Sequence, residues 1–595
     1  MFEEFDRSLH CSGNEDWSHL HVTAQKFLKD LDLSTSHPLC HNETIFSTDE
    51  FIIPTLDDLS NNLFYEHDMG FWSKALTKWC QIAPALLAMS ELWLRLFAFI
   101  LAPSIALYFI AKELKNGYTT TKWNLRDERK QAILLIFGLA SSLVLLTDTM
   151  YVQAYDGIQY GGRLFLLMII LTILQCNRFV IYRMRVLGSM IVIVALASYL
   201  ILHSEKNGMG TYDNPGIDIP TIKPGFYYSQ NPLMVTVAEI FPAHTRTYDV
   251  TNGATPYLPT GDSLTGIPFL VNTSKELTYH RVWVQNNVDK EAVALDIKFP
   301  SDGVHSFEKP IFLILHGLNG GSHEDFVQDF VARRTTEGHT CIVMIARGLM
   351  DTPVIGWNVF HGARIIDIDT AAKAISAAKG HDQLLAGVGY SMGAIVLSNY
   401  VARSGKDCHL DAAMAISGGL DMREMLNFKR SMRLWQPMLA QTLRDDFIVK
   451  KFDNRFRYRL TNEEHLKLMR STSVSEIDIH AVVTYNGFNN LEHYYSEMSA
   501  MGDTSAFQGE AKNRSSKTAG RIGQVSIPFC VLHALDDPLT TWRAIGHDPS
   551  RLVNSGSGYI MMILTGSGGH VGWPLGLNPS KHGWKFMVRI YTFVQ

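Results

Sequence analysis

A serine, a pair of aspartates and a histidine, in that order along the chain, carry its most evident chemistry. Ser391 is the centre of Gly389-Tyr390-Ser391-Met392-Gly393, a G-x-S-x-G pattern. A hydroxyl is a weak nucleophile until a base takes its proton. His570, in Gly568-Gly569-His570-Val571-Gly572, can be that base. Asp537, in Asp536-Asp537-Pro538, can orient the imidazole and stabilise the imidazolium that forms. We assign Asp537 as the acid and Asp536 as a helper or turn residue. Such a set attacks an ester carbonyl, forms an acyl-enzyme and releases the acid to water. G-x-S-x-G alone recurs by chance, so its surroundings must decide.

Those surroundings are strand, turn and helix. The run LLAGVGY precedes Ser391 as a strand, and MGAIVLSNYVAR follows as a small-residue helix. Gly389 and Gly393 have no Cβ to clash, so the turn between them can be a tight nucleophile elbow that lifts the serine Oγ. Asp537 and His570 follow two further strand-length runs, FCVLHA and YIMMILTG, so all three groups fall on loops at the carboxyl ends of strands. A developing oxyanion needs donors. The backbone N–H groups of Leu318, after PIFLILHG, and of Met392 are the candidates. TCIVMIA and AAMAISG complete six short apolar runs, with helix-like stretches at 324–336, 365–379 and 392–404. HRVWVQN and AVALDIKF read as a β-hairpin before them. The pattern predicts an α/β fold, a mostly parallel sheet covered by helices, over 279–595. Residues 420–522, rich in Met, Arg, Leu and Phe, interrupt it as an inserted helical cap.

Upstream the character changes. Residues 1–85 are polar and weakly patterned, and read as a loose tail. In 86–204, four apolar runs at 92–111, 132–152, 163–182 and 186–203 each approach the ~20 residues that cross a bilayer as a helix. The 112–130 connector holds Lys112, Lys115, Lys122, Arg126, Arg129 and Lys130, and the 177–185 connector holds Arg178, Arg183 and Arg185. Basic connectors face the cytosol. Four spans then put the tail and the C-terminal domain together on the lumenal or extracellular side. Sequons at Asn42, Asn272 and Asn513 suit that side. Residues 205–278, rich in Gly, Pro, Thr and Tyr, read as a linker or irregular arm.

Composition narrows the classes further. A net charge of −5 with 19% charged residues gives no basic excess for nucleic acid. None of the seven cysteines sits in a C-x-x-C, so neither a zinc nor a dithiol site is expected, and the serine chemistry needs no cofactor. Cys11 and Cys40 could pair outside the cytosol.

The C-terminal ~315 residues resemble an α/β hydrolase, and more narrowly the AB hydrolase 4 family of membrane-anchored lipases and esterases. The resemblance rests on HGLNGGSHEDF, ARGLMDTP, GYSMGA, the Asp536-Asp537-Pro538 run and GGHVGW. It implies a Ser391–Asp537–His570 relay acting on lipid acyl esters such as acylglycerols. Familiar members have one anchor where this chain shows about four runs, and the cap is long. An acyltransferase using the same groups, or a non-catalytic binding module on the same fold, are the competing readings.

Overall fold

The computed structural model describes residues 17–32, 220–241, 246–256, 258, 260–354, 356–428, 431, 435–503 and 520–590. Two compact units divide the chain. One comprises Met1–Pro84, Thr221–Thr255 and Leu264–Gln595, and the other Ala85–Pro220 and Pro256–Ser263. The first holds a nine-stranded sheet. Its strands are β1 (Gly225–Tyr228), β2 (His280–Gln285), β3 (Ala292–Lys298), β4 (Ile311–Leu315), β5 (Thr340–Ile345), β6 (Leu385–Tyr390), β7 (Ala412–Ile416), β8 (Phe529–Ala534) and β9 (Ile560–Thr565). They lie in the order β1-β9-β8-β7-β6-β4-β5-β3-β2.

The six strands β4 to β9 pair in parallel, and each is almost wholly buried. A parallel sheet covered on both faces has no solvent side, which is why these strands read as unbroken apolar runs. The predicted hairpin β2–β3 is antiparallel, His280 opposite Ile297, and joins the sheet through β5. Helices α4 (Asp325–Thr336), α5 (Ile366–Ala378) and α6 (Met392–Ser404) form where the sequence places them. Between β7 and β8 the described residues are mostly helical, from Met422–Asn427 through Leu491–Met498. This insertion packs Met422, Met425, Tyr494 and Met498 against Ile395 of α6.

Two upstream readings need correcting. The described part of 205–278, from residue 220 onward, is not an irregular arm. It supplies β1, which pairs antiparallel with β9, and helices α2 (Pro232–Ile240) and α3 (Gly261–Val271). The four-residue strand forms because β9 offers a free edge, a partner more than 300 residues away that no local pattern reveals. The tail is not wholly loose either. Helix α1 (Val22–Asp32) buries Ala24, Phe27, Leu28 and Leu31 completely. That spacing is one helix face. The face packs against α5 and β2. Phe27 stacks on His305 at 4.5 Å between ring centroids, and the His305 N–H donates to Thr23 Oγ1 at 3.1 Å. Each fully buried Phe or Leu contributes roughly 1.5–3 kcal/mol, which holds an 11-residue helix that would be marginal alone.

Asn272, one of the three sequons, is 2% exposed with both amide atoms enclosed, so its nitrogen is closed to a glycan. Cys341, Cys408 and Cys530 are free thiols. The four apolar runs, Cys11, Cys40, Asn42 and Asn513 lie outside the described residues. Among the described residues no helix is long and apolar enough to cross a membrane.

Candidate active site

Parallel strands in one sheet send their carboxyl ends to one edge. β4, β6, β8 and β9 therefore deliver the loops bearing His316, Ser391, Asp537 and His570 to the same rim. Ser391 sits between β6 and α6 at φ 52°, ψ −116°, a conformation non-glycine residues rarely adopt. Such strain persists only where its surroundings enforce it. Here they do. A Cβ on Gly393 would lie 2.3 Å from the Leu315 carbonyl oxygen, and one on Gly389 2.5 Å from the Gly393 carbonyl oxygen. The two glycines let the elbow press against its own strand and against the end of β4.

The structure brings Ser391, His570 and Asp537 into one hydrogen-bonded chain. Ser391 Oγ lies 2.8 Å from His570 Nε2, and His570 Nδ1 lies 2.8 Å from Asp537 Oδ2. The carboxylate can only accept, so Nδ1 carries the hydrogen and Nε2 is free to take the serine proton. The other carboxylate oxygen of Asp537 accepts two backbone N–H groups, from Leu539 and Thr540, at 2.8 Å each. Asp536 acts differently. Its Oδ1 accepts the Gly569 N–H at 2.9 Å, tying down the histidine loop.

That loop has further supports which the sequence did not single out. The His570 N–H donates to Thr265 Oγ1 at 2.8 Å, and the Val571 N–H to Ser417 Oγ at 2.9 Å. Both partners are single hydroxyls in unrelated segments, and nothing in their neighbourhoods marks them.

The oxyanion candidates lie on facing loops. Gly317 and Asn319 on one side and Met392 and Gly393 on the other line a single cavity of about 330 Å³, counting its open mouth. Leu315, Leu349, Phe360 and Val396 give it apolar walls. Among the described residues neither the Leu318 nor the Met392 N–H has an acceptor. Ser322 Oγ donates to Asp296 at 2.6 Å, and Asp296 is paired with Arg281 at 2.6 Å, so the loop is anchored to the β2–β3 hairpin. Arg347, from the ARGLMDTP motif, is buried and pairs with Asp289 and Asp367. Its part is to tie the hairpin turn to α5. No group of metal-ligating side chains occurs among the described residues.

Residues 310–571 match a family described as alpha/beta hydrolase fold. The domain that carries these residues is therefore similar to the α/β-hydrolase family. Relatives agree. Over 275 residues it is 28% identical to a monoacylglycerol lipase of Saccharomyces cerevisiae, an alignment covering 44% of this chain and 55% of the yeast protein. It is 25% identical over 336 residues to phospholipase ABHD3 of Mus musculus, covering 55% of this chain and 74% of that one. An abhydrolase domain-containing protein of Dictyostelium discoideum is 26% identical over 299 residues, with 48% and 67% covered. The chain thus spans little more than half the length of the yeast relative.

Proposed function

We propose that this α/β hydrolase is a serine esterase of lipid acyl esters, in the manner of the AB hydrolase 4 family. Ser391 attacks the ester carbonyl while His570 Nε2 takes its proton. Asp537 holds the imidazole in the required tautomer and stabilises its charge. The N–H groups of Leu318 and Met392 receive the oxyanion. His570 returns the proton to the departing alcohol, then takes one from the attacking water and gives it to Ser391 Oγ as the acid leaves the acyl-enzyme. The observation that carries this reading is the unbroken Ser391–His570–Asp537 chain on a strained elbow. Lipid esters are favoured by the names of the yeast and mouse relatives and by the apolar cavity beside Met392. A fluorophosphonate probe tests it. We expect labelling of the wild type and none of Ser391→Ala; equal labelling refutes the reading.

Membrane attachment through residues 86–204 belongs to the same reading, since a bound enzyme meets its lipid at the surface. The packing of α1 on α5 and β2 adds a constraint, because the chain on both sides of the apolar runs meets in one folded unit. The runs would therefore cross an even number of times. Protease protection of tags at the two termini tests this, and tags on opposite faces refute it.

A further inference from the structure

The loop that offers the Leu318 N–H is built around a glycine, and a glycine leaves peptide planes free to swing. Two side chains take that freedom away. The Gly317 N–H donates to Glu324 Oε2 at 3.0 Å. The Gly317 carbonyl oxygen lies 2.7 Å from His316 Nδ1. On the far side of that ring, Nε2 accepts the Ala346 N–H at 3.1 Å, so the hydrogen must sit on Nδ1 and be given to the carbonyl. Burial pushes His316 down to about 4, so the ring stays neutral and this tautomer is its only one at working pH.

Each contact fixes one of the two peptide planes that meet at the Gly317 Cα. Glu324 holds the plane before it, and His316 the plane after it. The peptides are trans, so a carbonyl pinned towards His316 turns the Leu318 N–H the opposite way. We propose that Glu324 is a positioning residue which, together with His316, sets the direction of the Leu318 N–H and so the strength with which an oxyanion is held. The proposal rests on the serine-esterase reading above.

The loop is shaped to house this carboxyl. A Cβ on Gly320 would lie 2.2–2.5 Å from it, and one on Gly317 3.3 Å. Glycines in HGLNGGSHE thus make room for the glutamate that ends the run. Burial also pushes the Glu324 carboxyl up to about 8. At neutral pH it is an uncharged acceptor, which grips an N–H without opposing an oxyanion nearby. The titratable groups around the loop are His316 and His323 on the loop itself and Asp296 on β3, the last paired with Arg281. Above about pH 8 the glutamate ionises and places a negative charge behind the donor.

Glu324→Leu and Glu324→Gln in the whole chain test this through kcat and KM for an ester across pH 6–10. Leucine removes the acceptor. We expect kcat to fall about 100-fold with KM little changed, the loss typical of one misdirected oxyanion donor. Glutamine keeps a neutral acceptor of the same shape. It should restore most of that loss and abolish the fall in kcat that we expect of the wild type above about pH 8. An unimpaired leucine variant, a glutamine variant as impaired as leucine at pH 7, or an unchanged alkaline fall in the glutamine variant each overturns the role. The glutamine arm decides the matter even where leucine prevents folding. Ser391→Ala separates the two levels of argument. Persistent turnover in that variant overturns the esterase reading and the role of Glu324 with it. An inactive Ser391→Ala beside a fully active Glu324→Leu overturns the role of Glu324 alone.

Discussion

Exchanging Asp537 for asparagine should do more harm than its one-atom change suggests, and the hydrogen bonds say why. One oxygen of Asp537 accepts the backbone N–H groups of Leu539 and Thr540, and the other faces His570 Nδ1. Asparagine has one oxygen and one NH₂. Two backbone donors require an acceptor, so the amide oxygen must turn towards them. The NH₂ then faces the histidine. Nδ1 must accept, the imidazole hydrogen moves to Nε2, and a protonated Nε2 meets Ser391 Oγ where a base is needed. The wrong tautomer costs about 10⁴ in kcat in a serine protease with this arrangement, or about 5.5 kcal/mol of barrier. Asp537→Asn should show a loss of that order at unchanged unfolding midpoint, because the backbone contacts survive. Asp536→Asn can keep its carbonyl oxygen on the Gly569 N–H and should fall by no more than about tenfold. Ester turnover by both variants, with fluorophosphonate labelling rates alongside, provides the comparison. If Asp536→Asn is the more damaging, or if Asp537→Asn keeps a tenth of the activity, the tautomer argument is wrong.

Two further outcomes follow from packing and burial. Phe27→Ala should lower the stability of the hydrolase unit by about 3 kcal/mol or more, while Val22→Ala on the exposed face of the same helix changes it by less than about 0.5 kcal/mol. Equal urea midpoints for the two would mean that α1 is not docked. In the cap, burial raises the Asp478 carboxyl to about 7, with the Tyr495 hydroxyl donating to it at 2.9 Å. The folded state keeps the proton that the unfolded chain releases near pH 4. Its contribution is complete below pH 4 and is lost as pH rises to about 7, by up to about 1.4 kcal/mol per pH unit. Asp478→Asn should flatten that slope in denaturant titrations from pH 4 to 7, and an unaltered slope refutes the assignment.

The parallel core was legible because its physics is local. Fully buried strands such as IFLIL and IMMILT need apolar residues at every position, and a reader sees the run directly. The elbow was legible for a related reason. Gly389 and Gly393 are required by contacts within a few residues of Ser391 or with the adjoining strand end. The helix α1 was legible in principle. Residues 24, 27, 28 and 31 have the helical period, but eleven residues in a long polar tail do not raise its average. β1 was not legible, because GFYY among glycines and prolines becomes a strand only by pairing with β9.

The supports of the site were hidden by a different cause. A nucleophile, a base and an acid announce themselves by residue type, since few side chains can do those tasks. A positioning contact needs only one hydrogen-bonding atom in the right place, and most residue types supply one. Thr265 holds the His570 N–H across 305 positions of sequence, and a threonine in SLTGIP carries no mark of that duty. Glu324 and His316 stand in the HGLNGGSHEDF run, yet sequence displays them as ordinary polar residues of a turn. Only the directions of their bonds, to the N–H and the C=O of one glycine, show that they act on the same donor. Substitutions at such positions should therefore change how well the chemistry is aimed while leaving its participants in place. That behaviour should separate kcat from KM in the Glu324 variants.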